Sequence, residues 1–151
     1  MKESETKALI IREMTKEDVH EASLIEEEAF SMPWKESDFL EMISRPYAHY
    51  YVVCLGEKII GICGVIDLQG EGDVSNVAIA SSMRGRGFGS YMVRYVLDEC
   101  RKMGMSEFTL EVRVSNAPAI ALYKNTGFTE VGIRPKFYER PTEDALMMKL
   151  C

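Results

Sequence analysis

Cysteine and histidine are scarce in this 151-residue chain. Its four cysteines (Cys54, Cys63, Cys100 and Cys151) lie far apart with no CxxC pair, and only His20 and His49 could join them. A disulfide framework and a zinc site are both poorly supported, so no metal is expected and the reducing cytoplasm is the expected compartment. No apolar run approaches the roughly 20 residues of a membrane span. Met1 to Lys7 is charged and lacks the apolar segment that a secretory signal needs, so no membrane partner is expected. Positive charge is in deficit, with 18 Lys and Arg against 24 Asp and Glu, giving a net charge of −6 and a pI near 5.0. That balance argues against a broad nucleic-acid surface and tolerates a basic or amine-bearing partner. Repeats, low-complexity tracts and Pro/Gly/Ser linkers are also missing, and division would leave two undersized cores. One domain over residues 1–151 is expected, with 1–7 as a flexible extension.

What is present is a normal globular balance, 46% apolar and 28% charged. Residues 8–13 read as a first strand. Thr15 with Asp18 resembles an N-cap for a helix running to about Ala29, with Val19, Ala22, Leu24 and Ile25 on its buried side. Phe30-Ser31-Met32-Pro33-Trp34 breaks the periodicity, and a short helix follows to about Ser44. Residues 48–55 and 58–68 form a hairpin by spacing, and 73–80 a further strand. A glycine-rich stretch precedes a helix at about 89–103, where Met92, Val93, Val96 and Leu97 recur at helical spacing. The strand at 107–114 alternates, Ser115 or Asn116 caps a helix to about Lys124, and Gly127 stops it. Strands at about 128–138 and 144–150 complete the chain. The order predicts an α/β fold, a mixed sheet of about seven strands with helices on both faces.

The most informative stretch, Arg84-Gly85-Arg86-Gly87-Phe88-Gly89, lies between a strand and a helix. Alternating glycines leave backbone N–H groups unshielded, the helix N-terminus adds a positive dipole end, and two arginines add charge, so a phosphate or pyrophosphate is the natural guest. It is neither a Walker loop nor a Rossmann fingerprint. Glycine spacing alone equally fits a tight strand-to-helix turn built on positive φ.

Read with its neighbours, the stretch gains a specific likeness. Val77-Ala78-Ile79 followed by Arg84-x-x-Gly87-x-Gly89 resembles the acetyl-CoA signature of the GNAT superfamily of N-acetyltransferases. The run Leu110-Glu111-Val112-Arg113-Val114-Ser115-Asn116-Ala117-Pro118-Ala119-Ile120-Ala121-Leu122-Tyr123, with Thr126-Gly127-Phe128, is similar to that family's second conserved block. It is close to the version in bacterial ribosomal-protein-alanine N-acetyltransferases of the RimI type, as are Ile133-Arg134-Pro135-Lys136-Phe137-Tyr138 and Glu143-Asp144-Ala145. The resemblance spans about residues 9–149 and is densest at 77–90 and 110–128. It implies the GNAT acyl-CoA N-acyltransferase fold, with acetyl-CoA as cosubstrate. It implies contacts to that cosubstrate from Val77, Ala78, Ile79, the turn Arg84 to Gly89, Ser90 and Asn116.

Amide formation from a thioester needs a neutral amine, and an α-amine with a pKa near 8 is mostly protonated at pH 7, so a base helps. The resemblance assigns that role to Glu111 and thiolate protonation to Tyr123. On their own, Glu111 equally fits an outward strand carboxylate or a salt-bridge partner of Arg113, and Tyr123 fits core packing. Asn116 fits a plain N-cap as well as a pantetheine contact. A main-chain N–H of the 77–79 strand could meet the oxyanion. Phe30, Met32, Pro33 and Trp34 stand where related enzymes grip the first residues of a protein substrate, although Phe30 and Trp34 equally fit loop anchors. Tyr138, placed in the loop between the last two strands, closes the other side of that groove in the family. The expected activity is acetylation of a protein N-terminal α-amine, a ribosomal-protein alanine first, without nucleic acid or membrane partners. Other amines (lysine side chains, polyamines, aminoglycosides) are the first alternative, and a non-catalytic CoA-binding module is the second.

Overall fold

The computed structural model describes residues 1–151, except for the side chains of Thr6 and Lys7. In chain order the elements are α1 (Glu3–Ala8), β1 (Leu9–Glu13), α2 (Val19–Ala29), α3 (Glu36–Ile43), β2 (Ala48–Leu55), β3 (Lys58–Leu68) and β4 (Glu71–Ile79). The second half adds α4 (Phe88–Lys102), β5 (Glu107–Arg113), α5 (Ala117–Asn125), β6 (Thr129–Tyr138) and β7 (Glu143–Leu150). The strands form one seven-stranded sheet in the order β1-β2-β3-β4-β5-β7-β6. The α/β reading is correct, with strand limits within two residues of those expected. Where the sequence suggested a flexible extension, the structure has the short helix α1.

Side-chain alternation along the central strands sends successive residues to opposite faces and so builds two cores. On one face α4 lays Met92, Val93, Val96 and Leu97 over Ile60, Val65, Phe108 and Leu110. On the other, Val19, Ala22 and Ile25 of α2 and Phe39 of α3 cover Tyr50, Val52, Ile62 and Ala78. Leu24 departs from expectation. It is exposed, and Glu26 is buried on α2 instead. Glu26 lies four residues beyond Ala22, on the inward stripe, whereas Leu24 falls two residues away and points elsewhere.

The α2 entrance is set by Asp18. Its carboxylate accepts Thr15 N–H at 2.8 Å and two bonds from the Arg12 guanidinium at 2.7 and 2.9 Å. Arg12 holds this carboxyl below its usual range, with the Thr15 bonds adding to the effect despite burial.

The sheet is irregular between β4 and β5. β4 and β5 are its only parallel neighbours, and they pair over Glu71–Asp73 with Glu107–Thr109 alone. Beyond that short ladder the two strands have no mutual pairing, and the sheet opens between Val74–Ile79 and Leu110–Arg113. Asn76, within this stretch of β4, takes a positive φ of 54°.

Candidate active site

A cleft of about 850 Å³ occupies the opening between β4 and β5. Val77 reaches it from β4, Glu111 from β5, Asn116 from the α5 N-terminus and Tyr123 from within α5. Phe30, Met32 and Trp34 approach from the α2–α3 loop, and Tyr138 from the opposite side. Both expected acid–base residues and most expected substrate contacts thus meet in one place, although their sequence separations reach about a hundred residues. Tyr138 ends β6 rather than lying in the loop after it. Pro33, Ala78, Ile79 and the glycine turn lie outside the cleft lining.

Glu111 keeps one side partly open, at 25% side-chain exposure, and its near cation is Arg134 at 3.7 Å rather than Arg113. Tyr123 is 7% exposed and packs edge-on to Phe128, with ring centroids 5.8 Å apart. Burial pushes its phenol well above the ordinary tyrosine range, and the neighbouring Cys63 and Tyr138 push the same way. Tyr138, also desolvated, is pushed up to about 12, with Glu111 contributing. Asp73, on the β4 lip, is raised by burial first and by Glu111 second. Asn116 caps α5 through a 3.3 Å bond accepted from Ala119 N–H.

The aromatic loop divides its labour. Trp34 is an anchor, stacked on Tyr50 at 5.8 Å and tilted against Phe39 at 5.3 Å. Phe30 and Met32 are exposed, at 39% and 53%. The backbone N–H of Trp34 donates to buried Glu26 at 3.1 Å, and Asn76 Nδ2 donates to the same carboxylate at 3.1 and 3.2 Å. Tyr50 donates to Asn76 Oδ1 at 2.7 Å, so loop, α2 and the left-handed residue of β4 form one network. Burial raises the Glu26 carboxyl, and the Asn76 and Trp34 bonds oppose that rise.

Two glycines of the turn are needed for their backbone conformation. Gly85 and Gly87 have φ of +74° and +86°, a region that favours glycine, and Gly87 is the N-cap of α4. At Gly89 an added Cβ would come within 2.7 Å of Leu122 Cδ1, so the end of that side chain would have to shift. Nothing stands within 4 Å of the Cβ position at Gly85. Phe88 is buried in the core, so only its backbone can face a ligand, and Ser90 is half-buried. Arg84 donates to Ile79 O at 3.0 Å, and Arg86 is ion-paired with Glu5 of α1 and lies over the Phe88 ring. Met1 lies 3.5 Å from the Cβ position at Gly87.

Sequence reasoning missed Glu26, Asp73, Asn76 and Arg113, all of which line the cleft. Only Arg113 lay within a recognisable block, and the others carry no spacing signal. A second depression of about 840 Å³ beside α2, rich in glutamate, contains none of the expected residues. Among the described residues no group of three His, Cys, Asp or Glu could hold a metal ion, and no helix is long and apolar enough to cross a membrane.

This arrangement has close counterparts in known proteins. The family model described as Acetyltransferase (GNAT) family matches residues 18–128, and the chain belongs to that family of enzymes. It is 38% identical over 144 residues, 95% of each chain, to a Bacillus subtilis (strain 168) protein provisionally named ribosomal protein bS18-alanine N-acetyltransferase. It is 34% identical over 137 residues to the ribosomal protein bS18-alanine N-acetyltransferase of Escherichia coli (strain K12), covering 88% of this chain and 90% of that one. The crystal structure of the ribosomal-protein-S18-alanine N-acetyltransferase from Escherichia coli superposes with a TM-score of 0.86 at 30% identity, covering 94% and 92%.

Proposed function

We propose that the chain, as a single N-acetyltransferase domain, transfers the acetyl group of acetyl-CoA to a protein N-terminal α-amine. A ribosomal-protein alanine is the leading substrate. The observation that carries this reading is the opening between β4 and β5, which gathers Glu111, Tyr123 and two substrate-facing walls around one cleft. The named relatives support alanine as the first residue and a ribosomal protein as its bearer.

The turn fits the pyrophosphate of CoA. Gly85 and Gly87 leave backbone unshielded at the start of a 15-residue helix, where N–H groups and dipole favour an anion. Val77, Ala78 and Ile79 would offer backbone to the pantetheine arm in the manner of an added strand, and Asn116, which lines the same cleft as Val77, and Ser90 would add contacts. The bound thioester supplies the electrophilic carbonyl. Glu111 takes the proton of the amine, directly or through one water, as the C–N bond forms. Tyr123, whose phenol carries its proton at neutral pH and lies in the cleft beside Glu111, gives that proton to the departing thiolate. A β4 main-chain N–H stabilises the oxyanion between these steps. Phe30 and Met32 flank one side of the peptide and Tyr138 the other, while Trp34 fixes the loop that carries the first two.

The test is a rate comparison with acetyl-CoA across peptides that differ in their first residue, alongside free lysine and a polyamine. An Ala-initiated peptide turned over fastest supports the reading. A free amine turned over far faster than every peptide replaces it.

A further inference from the structure

Proton transfer needs nothing from Arg113, yet no other side chain of the cleft is held by so many groups. It sits two residues beyond Glu111 at the end of β5, with 21% of its side chain exposed. Nη1 donates to Pro141 O at 2.9 Å and to Glu143 Oε1 at 3.1 Å. Nη2 donates to Glu139 O at 2.7 Å and to Ser31 Oγ at 3.1 Å. The guanidinium carbon lies 4.6 Å from the centroid of the Tyr138 ring. Ser31 Oγ also donates to Glu139 O at 3.3 Å, so the two loops meet directly at this point. Ser31 belongs to the loop carrying Phe30 and Met32, and Glu139 and Pro141 belong to the β6–β7 connection that follows Tyr138. One planar fork therefore joins both walls of the cleft to the strand that carries Glu111. A solvated surface pair, by contrast, has a single charged partner and contributes little.

We infer that Arg113 is a positioning residue. It ties the Phe30–Trp34 loop and the β6–β7 connection into one rigid rim, which sets the width of the groove for a small-headed, extended chain end. This inference rests on the N-terminal amine reading above. The guanidinium suits the role because its donors are fixed in a plane and satisfy four acceptors together, whereas a lysine ammonium keeps the charge without the fork. Loss of the rim affects binding of the peptide, which spans both walls, more than the acid–base pair beneath it.

The experiment compares Arg113→Met and Arg113→Lys with the parent, using steady-state kinetics, calorimetry with CoA and hydrogen exchange of the free protein. Arg113→Met should raise KM for an Ala-initiated peptide about tenfold, the size expected for losing charge-assisted hydrogen bonds, with kcat within a few-fold. CoA affinity should hold, and preference for Ala- over Leu-initiated peptides should shrink. Amides in 30–34 and 139–142 should exchange faster, while those of α4 stay unchanged. Arg113→Lys should resemble Arg113→Met in KM and exchange. Full restoration of both by lysine would show that charge alone suffices, and would overturn the inference. A fall in kcat with unchanged KM, or loop exchange equal to the parent's, also overturns it. If the parent prefers a free amine to every peptide, the function reading fails. The exchange data then decide the rim alone, faster loops sustaining it and unchanged loops ending it.

Discussion

The duties proposed for single residues in this cleft are separable, and their substitutions should fail in different ways. Glu111→Gln and Tyr123→Phe should each lower turnover by about 10²- to 10⁴-fold, the usual contribution of positioned proton transfer, with CoA affinity nearly unchanged. Glu111→Gln should regain activity as pH rises through the amine's own titration near 8, because more amine is then neutral. Tyr123→Phe should show no such recovery. Full activity of Glu111→Gln across that range would mean that another group is the base. Two buried carboxyls make opposite pH predictions. Asp18 is held below 3.8 by Arg12, so its contribution to stability is present above that value and is lost as pH falls through the folded value. Asp18→Asn should cost about 2 kcal/mol at neutral pH and flatten acid unfolding, read from urea melts at stepped pH. Glu26 is raised above 4.5 by burial, so its contribution is fullest below 4.5 and is lost as pH rises through its folded value. Glu26→Gln should therefore decline less than the parent as pH rises from 4.5. Parallel curves would contradict this. Glu26 is also where residue-level reading falls short, because the apolar pattern of α2 puts Leu24 on the buried side and gives no sign of a buried carboxyl. Its burial is compensated by Trp34 and Asn76, partners distant in sequence that no helical period reveals.

Elements were far more legible than their companionship. Hairpin spacing located β2 and β3, which are apolar almost throughout, period-two alternation located β5, and helical spacing located α4, because each of these patterns is written locally. The turn before α4 was recognisable for the same reason, Gly85 and Gly87 being demanded by local φ. The separation of β4 from β5 was not recognisable, since pairing is lost between strands that approach only in the folded sheet. Nor was the placement of α1 over the glycine turn, where Glu5 pairs with Arg86. That placement carries its own prediction. Glu5→Gln should free Arg86 for an anion and tighten CoA binding by a few-fold, the scale of an exposed ion pair. Weaker binding would show that α1 helps build the site. Gly87→Val should weaken CoA binding strongly, because a branched side chain is strained at φ +86° and stands over the N-terminus of α4. Calorimetry showing unchanged affinity in a folded Gly87→Val protein would remove the turn from the binding account.

The whole molecule is organised around one opened sheet. Two cores, one under α4 and α5 and the other under α2 and α3, hold β4 and β5 in place while leaving their upper halves apart. The glycine turn, the proposed cradle of the donor, falls on the α4 side, and the aromatic loop approaches from the α2–α3 side. Transfer is thus expected where the two sides meet, beside Glu111 and Tyr123. The net charge of −6 is compatible with an amine-bearing partner but does not choose among amines. That choice rests on the geometry of the rim and on the named relatives, so the central claim is that the acceptor is a chain-end α-amine. The most direct test uses one Ala-initiated peptide that also carries an internal lysine, incubated with acetyl-CoA and the protein, with the acetylated position located by fragmentation mass spectrometry. Acetyl is expected on the N-terminal nitrogen alone, with no product when that nitrogen is blocked beforehand. Acetyl on the lysine, or undiminished product from the blocked peptide, would contradict the claim.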